Sequence, residues 1–361
     1  MNIAIRVDAS TAMGTGHLVR CRTLGRALRQ QGATVRFICR AHLGHGLEAL
    51  REEGFTVAAL PEPEASESES SGEDYARWLG VSQSRDADET IAALEGRPGW
   101  LVVDHYGLDA EWEQRLRPHV GRILVIDDLA NRNHDCDALL DQNYNPDAEA
   151  RYAERLPAEA MRLFGPRYAL LGPEYAAYRR EAGAHSGRVD RVLVFFGGTD
   201  PDNLTGRALE ALSDPAFANV AVDAVVGPNN PHREALAKQA KARPGTTLHD
   251  PRPHLADLMA GADLAIGAGG TTTWERCCLG LPSLVVSIAD NQRPACEALA
   301  ADGLIAYAGH HEQVTAEILR ARLAELAFEP DRLQRMAAAG RKLVDSRGAE
   351  RVTGSLMDCN D

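Results

Sequence analysis

The chain has no Cys-x-x-Cys pair and no Cys/His spacing of the structural-zinc kind. Its seven cysteines, Cys21, Cys39, Cys136, Cys277, Cys278, Cys296 and Cys359, are odd in number and scattered. Such a set reads as reduced thiols, not as a disulfide framework. The N-terminus has no charged leader followed by an apolar stretch. A strand is entered at once over residues 2–7, which predicts a cytoplasmic location. No apolar run approaches the roughly 18 residues that span a bilayer. Positive charge is scarce as well: 39 Lys and Arg against 52 Asp and Glu give a formal net charge of -13. Nucleic acid and anionic membrane surfaces are therefore poor candidates for the main partner. No glycine turn continues into GKS or GKT, which argues against P-loop kinase or ATPase chemistry. No DxD-like or His/carboxylate ligand cluster stands out, so neither a metal nor a cofactor is expected.

What is present is the pattern of a parallel α/β protein. At 361 residues, with 44% hydrophobic and 25% charged residues, two globular domains are the default. Apolar, β-branched segments at 2–7, 34–39, 56–59, 100–103 and 122–126 alternate with helical spacing at 16–31 and 109–116. The Glu- and Ser-rich stretch 61–74 has little to bury and reads as a solvated loop. Near 181–188 the apolar pattern stops, and a second series opens with strands at 191–195, 220–226, 264–266 and 283–288. Helices are expected at 203–212, 231–242 and 272–279. From about 315 the chain reads as helices interrupted near Gly340 and Gly348. The expected organisation is therefore a first Rossmann-like domain over 1–180, a second over 189–345 and a helical tail over 346–361. A cleft between two such domains is a favoured place for a ligand.

Directly after the first strand comes Asp8-Ala-Ser-Thr-Ala-Met-Gly14-Thr-Gly16-His17-Leu-Val-Arg20. The position is that of a dinucleotide fingerprint, but Val19 stands where the third glycine belongs and the second strand ends in Arg40, so NAD is not expected. His17 lies at the mouth of a helix, whose positive end disfavours an imidazolium, and this suits a general base. It could equally satisfy its own loop backbone. Arg20, one turn on, could steady phosphate or sugar or pair with a carboxylate such as Asp8.

Two further glycine turns follow strands of the second half. The first is Gly197-Gly198-Thr199-Asp200. The second is Gly267-Ala-Gly269-Gly270-Thr271-Thr272-Thr273-Trp-Glu275. Backbone N–H groups at such turns bind diphosphate oxygens without needing bulk positive charge. The threonines can cap the helix, donate to phosphate, or do both. Glu275 can accept both hydroxyls of a ribose diol. Asn291 and Gln292 follow the next strand, at the expected cleft mouth or as turn and cap residues.

Three stretches taken together resemble one family: Gly14-Thr-Gly16-His17-Leu-Val-Arg20, Asp104-His105-Tyr106-Gly107, and Gly267 to Glu275 followed by Asp290-Asn291-Gln292. They are similar to the UDP-2,4-diacetamido-2,4,6-trideoxy-β-L-altropyranose hydrolases of bacterial pseudaminic acid biosynthesis. Residues 75–90, with Trp78 and Asp86, and the segment Asp127-Asp128-Leu-Ala-Asn131-Arg132 share the likeness, which runs from residue 1 to about 310. The acidic insert and the helical tail make this chain longer than compact members. The glycine turn with Gln292 also resembles the lipid II-forming N-acetylglucosaminyl transferase, which implies the two-domain glycosyltransferase-B fold with nucleotide held mainly by the C-terminal domain.

The resemblance implies a UDP-sugar substrate, loss of UDP and release of the free sugar with inversion at C1. It implies His17 as the catalytic residue and Tyr106 and Asn291 near the sugar, with Gly14, Gly16, Arg20, Asp104 and Gln292 as further candidate substrate contacts. Gly197, Gly198, Thr199, Gly269, Gly270, Thr271, Thr272 and Glu275 would hold UDP. Asp127 and Asp128 read as structural or capping residues. UDP is a good leaving group, so the chemistry asks for N–H donors to its charge and a base for water, not for the paired carboxylates of ordinary glycosidases. Three rivals share the architecture: a UDP-sugar glycosyltransferase, a non-catalytic nucleotide-sugar binder and a non-hydrolysing 2-epimerase. The last should show a cluster of acidic and basic groups that is not found, and residues 41–50 are not strongly apolar, against a lipid acceptor.

Overall fold

The computed structural model describes residues 1–63, 74–227 and 230–358. Cys359 and residues 64–73 of the acidic stretch lie outside them. The first compact unit comprises Met1–Leu170 together with Arg347–Asp361, and the second Leu171–Ser346.

In the first unit the chain runs β1 (Asn2–Val7), α1 (Gly16–Gln30), β2 (Thr34–Arg40), α2 (Leu47–Glu52), β3 (Thr56–Leu60), α3 (Asp74–Leu79), α4 (Gln83–Ala93) and β4 (Trp100–Asp104). It continues through α5 (Ala110–Leu116), β5 (Arg122–Ile126), β6 (Ala138–Asp141), α6 (Ala148–Tyr152) and β7 (Met161–Phe164). The second unit holds α7 (Pro173–Glu181), β8 (Arg191–Phe195), α8 (Leu204–Ala211), β9 (Ala221–Val225), α9 (Arg233–Ala242), β10 (Thr246–His249) and α10 (Ala256–Gly261). It goes on with β11 (Leu264–Ala268), α11 (Thr272–Leu279), β12 (Ser283–Ser287), α12 (Arg293–Ala301), β13 (Ala306–His310), α13 (Ala316–Ala327) and α14 (Pro330–Leu343). The last helix, α15 (Gly348–Asp358), returns to the first unit.

Central strands such as β1 and β4 are buried on both faces, which is why they read as unbroken apolar runs and not as alternations. The seven-stranded sheet has the order β3-β2-β1-β4-β5-β6-β7 and the six-stranded sheet β10-β9-β8-β11-β12-β13. Both are the doubly wound order, in which the direction of progression reverses between the first strand and the fourth. In open α/β sheets a ligand is favoured at such a reversal, which here falls at the carboxyl ends of β1 and β4 in one unit and of β8 and β11 in the other. Among the described residues no helix is long and apolar enough to cross a membrane.

Four strands escape the sequence pattern: β6, β7, β10 and β13. Each has only four or five residues, and β10 reads Thr-Thr-Leu-His at a sheet edge, with no apolar run to mark it. Gly340 does not interrupt a helix. It lies inside α14, where a Cβ would come within 3.2 Å of the Cys277 Cα, so the glycine lets α14 approach α11. Gly348 does mark an interruption, since α15 starts there and an added Cβ would strike the Ala169 carbonyl at 2.2 Å.

The units also divide differently from the expected domains. Helix α7 precedes the polar stretch 181–188 yet belongs to the second unit, where Arg179 donates to the carbonyls of Cys278, Val344 and Arg341. The tail is not a separate element: Val352 and Leu356 of α15 enter the first core, and the Trp100 indole donates to the Leu356 carbonyl at 3.0 Å.

Candidate active site

At the reversal point of the first sheet, Val7 of β1 is in register with Asp104 of β4. The chain leaves β1 through a turn closed by the Gly14 N–H on the Ser10 carbonyl at 2.8 Å, with Gly14 at φ +78°, a backbone state that residues with side chains avoid. A Cβ added at Gly14 or Gly16 would meet nothing within 4 Å. Packing does not require glycine at Gly16, and the absence of a side chain there leaves backbone open to a ligand.

Helix α1 then puts His17 and Arg20 one turn apart, facing the end of β4. His17 Nδ1 lies 2.6 Å from Asp104 Oδ1; Arg20 Nε is 2.6 Å from Oδ2, and an Arg20 terminal nitrogen is 2.7 Å from Oδ1. The Cys21 thiol adds a contact to Oδ2 at 3.3 Å. Burial alone would push the Asp104 carboxyl up, but Arg20 and then His17 hold it well below the usual carboxylate range. An ionised carboxylate only accepts, so in the neutral imidazole the proton sits on Nδ1 and the lone pair on Nε2; an Arg20 terminal nitrogen also lies 3.1 Å from Nδ1. His17 is 8% exposed and Asp104 fully buried.

Two expectations change here. Asp104 has no surface left for a substrate and instead orients His17. Arg20 pairs with Asp104, not with Asp8, because Asp8 is taken by Arg6 at 2.5 and 2.8 Å.

Tyr106 sits two residues past Asp104, its ring packed T-shaped against the His17 ring with centroids 4.6 Å apart and stacked on Trp78 at 5.8 Å. Tyr75 packs edge-on against both Trp78 and Tyr106. The Tyr106 hydroxyl donates to Asp128 at 2.6 Å. Asp127 accepts from the Ala130 N–H and the Tyr152 hydroxyl and pairs with Arg132, as expected of a structural carboxylate. Beneath the site Asp86 holds two fully buried guanidiniums: Arg6 at 2.6 and 3.1 Å and Arg40 at 2.6 Å.

In the second sheet the corresponding reversal gathers the other two glycine turns. A Cβ at Gly197 or Gly198 would meet nothing within 4 Å, although the φ of +96° at Gly197 itself favours glycine, so these two also present open backbone. Asp200 occupies the start of α8, accepting from the N–H groups of Leu204 and Thr205 at 2.8 and 3.0 Å. Donors for an anion therefore have to come from the turn and not from that helix end. Gly267 within β11 and Gly269 just after it are packing glycines: a Cβ would lie 2.5 Å from the Phe195 carbonyl and 2.4 Å from Cys296 Sγ respectively.

The threonines make no cap for α11. Thr271 forms no side-chain cap bond, while Thr272 and Thr273 accept from Arg276 at 3.2 and 2.9 Å. Arg276, missed by sequence reasoning, is 2% exposed and also donates to the Ala268 carbonyl at 2.8 Å. A buried cation behind a glycine turn favours an anion on the turn's open side. Gln292 lies on a turn after β12, its Oε1 accepting from the Ile288 N–H at 3.0 Å; Asn291 shares the turn. His310, at the end of β13, is also new, its Nδ1 3.0 Å from the Ser287 hydroxyl.

Glu275 is half-buried. Desolvation pushes its carboxyl up to about 7, against the opposing pull of a hydrogen bond from Tyr175 of α7 and the charge of Arg276. A group whose value rises on folding stabilises the fold below its unfolded value and loses that contribution as pH climbs through the folded one. Glu275→Gln should therefore melt with the wild type near pH 4 and above it at pH 8. The gain should be about 1–2 kcal/mol once solvent screening is discounted, a few degrees in Tm. Equal melting temperatures at pH 8 would contradict the assignment.

No family model matches this chain. A Bacillus subtilis protein named spore coat polysaccharide biosynthesis protein SpsG is 27% identical over 366 residues, covering 99% of this chain and 98% of the relative. The UDP-2,4-diacetamido-2,4,6-trideoxy-β-L-altropyranose hydrolase of Campylobacter jejuni is 25% identical, covering 84% of this chain and 97% of the relative. The crystal structure of MurG from Acinetobacter baumannii matches with a TM-score of 0.67 at 15% identity, over 99% of both chains. The fold is thus of the glycosyltransferase-B type, two parallel-sheet α/β domains, and the chain has relatives in sugar biosynthesis.

Proposed function

We propose that the protein hydrolyses a UDP-linked 2,4-diacetamido-2,4,6-trideoxy sugar to UDP and the free sugar. The observation that carries this reading is the His17–Asp104 pair, which leaves one imidazole nitrogen ready to accept a proton beside open glycine backbone. The Campylobacter relative's name supplies the substrate class. In this reading water attacks C1 from the face opposite UDP, gives its proton to His17 Nε2, and yields the inverted anomer. The C1–O bond breaks and its electrons leave with the diphosphate. That charge calls for preorganised donors, and within the second unit the open turn at Gly197 and Gly198 and the turn backed by Arg276 are suited to a diphosphate. No step calls for a metal, so turnover should persist in EDTA.

A glycosyltransferase is the second reading, and one observation favours it: Leu43 is 77% and Val19 38% exposed. The Leu43 carbonyl accepts from Thr11 in the turn that precedes His17, so apolar surface lies near the candidate site and could receive an acceptor. Incubation with a panel of UDP-sugars and no acceptor separates the two. Hydrolysis in ¹⁸O-water should release UDP, place the label in the sugar and leave UDP unlabelled. UDP release only when an acceptor is added would favour the transferase, and label in UDP would mean attack at phosphorus.

A further inference from the structure

We propose that Asp128 is a positioning residue of the first-unit site, and that through it Tyr106 meets the substrate as a hydrogen-bond acceptor only. The sugar must then bring a donor, a hydroxyl or an amide N–H, to that point. The inference rests on the UDP-sugar reading above and extends it to a named contact.

A phenol has one proton to give, and that of Tyr106 goes to Asp128 Oδ1 at 2.6 Å. Asp128 is itself held in place. Asn143 Nδ2 donates to its other oxygen at 3.0 Å, and Arg20 stands 3.6 Å from that same oxygen. Tyr106 follows β4, Asp128 follows β5 and Asn143 follows β6, so neighbouring parallel strands set the spacing of the three. Arg20 grips Asp104 with two of its nitrogens and turns the third toward Asp128.

The side chains of His17, Asp104, Arg20, Asp128 and Tyr106 thus close a ring, because the Tyr106 ring packs T-shaped against His17. Formally, two carboxylates and one guanidinium leave this ring one negative charge, which a proton arriving on His17 cancels. Burial pushes the Tyr106 phenol well above its usual value and the charge of Asp128 pushes it further. Tyr106 therefore keeps its proton, aims it at Asp128, and has only lone pairs to offer a ligand.

The test uses the full chain and UDP-2,4-diacetamido-2,4,6-trideoxy-β-L-altropyranose. Asp128→Asn removes the charge that receives the Tyr106 proton and faces Arg20, and it puts an amide N–H toward either Tyr106 or Asn143. Its kcat/KM should fall about 10- to 100-fold, the cost of a charged hydrogen bond, with UDP affinity unchanged. Tyr106→Phe on top should cost little more, since both changes disable the same contact. Losses that multiply, or a single variant within about twofold of wild type, would overturn the proposal. Methylating each sugar O–H and N–H in turn should yield one analogue that is impaired with wild type but not further with Tyr106→Phe; finding none refutes the acceptor assignment.

A readout independent of turnover is the ultraviolet titration of tyrosinate, with Tyr106→Phe as the blank. Tyr106 should ionise at lower pH in Asp128→Asn than in wild type, and an unchanged titration overturns the role of Asp128. A shifted titration in a protein that releases no UDP from this substrate would support that role and sink the hydrolase reading alone.

Discussion

Replacing His17 by Asn is expected to lower turnover by roughly 10²–10⁴, the usual contribution of a positioned base, while UDP binds as before. The side chain stays polar at the mouth of α1 but loses its proton-accepting nitrogen. Asp104→Asn should cost a comparable factor for a different reason. Its amide can donate to Nδ1 and so hold the imidazole in the tautomer whose Nε2 already carries a proton. That variant also leaves Arg20 without its buried carboxylate, so its melting temperature has to be measured beside its rate. Initial rates of UDP release and calorimetric UDP titration check both variants. Near-normal turnover in His17→Asn would leave His17 a buried structural partner of Asp104 and remove the base from the mechanism.

The second large effect is on stability. Asp86→Asn should destabilise the first unit by about 3–5 kcal/mol, the penalty for breaking a buried ion pair and leaving charge uncompensated. Asp86 is fully buried and bridges Arg6 and Arg40. Burial would raise its carboxyl, yet Arg6 and the Arg40 hydrogen bond bring it below the ordinary value. A lowered value contributes stability above the unfolded one, about 3.9 for Asp, and loses it as pH falls through the folded one. The gap between wild type and Asp86→Asn should therefore be widest near neutrality and narrow below pH of about 4. Urea unfolding at several pH values reads this directly; a gap that does not change with pH would show that packing, not charge, is what the substitution removes.

Much of this architecture is legible in the chain because the central strands are buried on both faces and so write themselves as apolar runs. Helix α11 begins and ends where periodicity places it, and all three glycine turns follow strands as anticipated. What stays hidden is whatever depends on register. His17 and Asp104 are 87 residues apart, and nothing local links them; only the pairing of β1 with β4 brings them together. Asp128 reads as a cap until β4, β5 and β6 lie side by side, and then it holds Tyr106. Tyr175 looks like an ordinary residue at a domain boundary, yet it reaches Glu275 because α7 belongs to the second unit. The edge strand β10 was invisible for a simpler reason, having almost no apolar side to show.

The return of α15 to the first core bears on the order of events during synthesis. Every residue of the second unit lies between Leu171 and Ser346, so the whole of it has been translated before α15 exists. The first unit, though begun at Met1, still waits for Val352 and Leu356 to fill its core and for the carbonyl that accepts from Trp100. Domains commonly fold in the order in which they emerge from the ribosome. Here the unit that starts first is the one completed last, and a ribosome that stops near residue 346 releases a chain with a finished second unit and an unsealed first one.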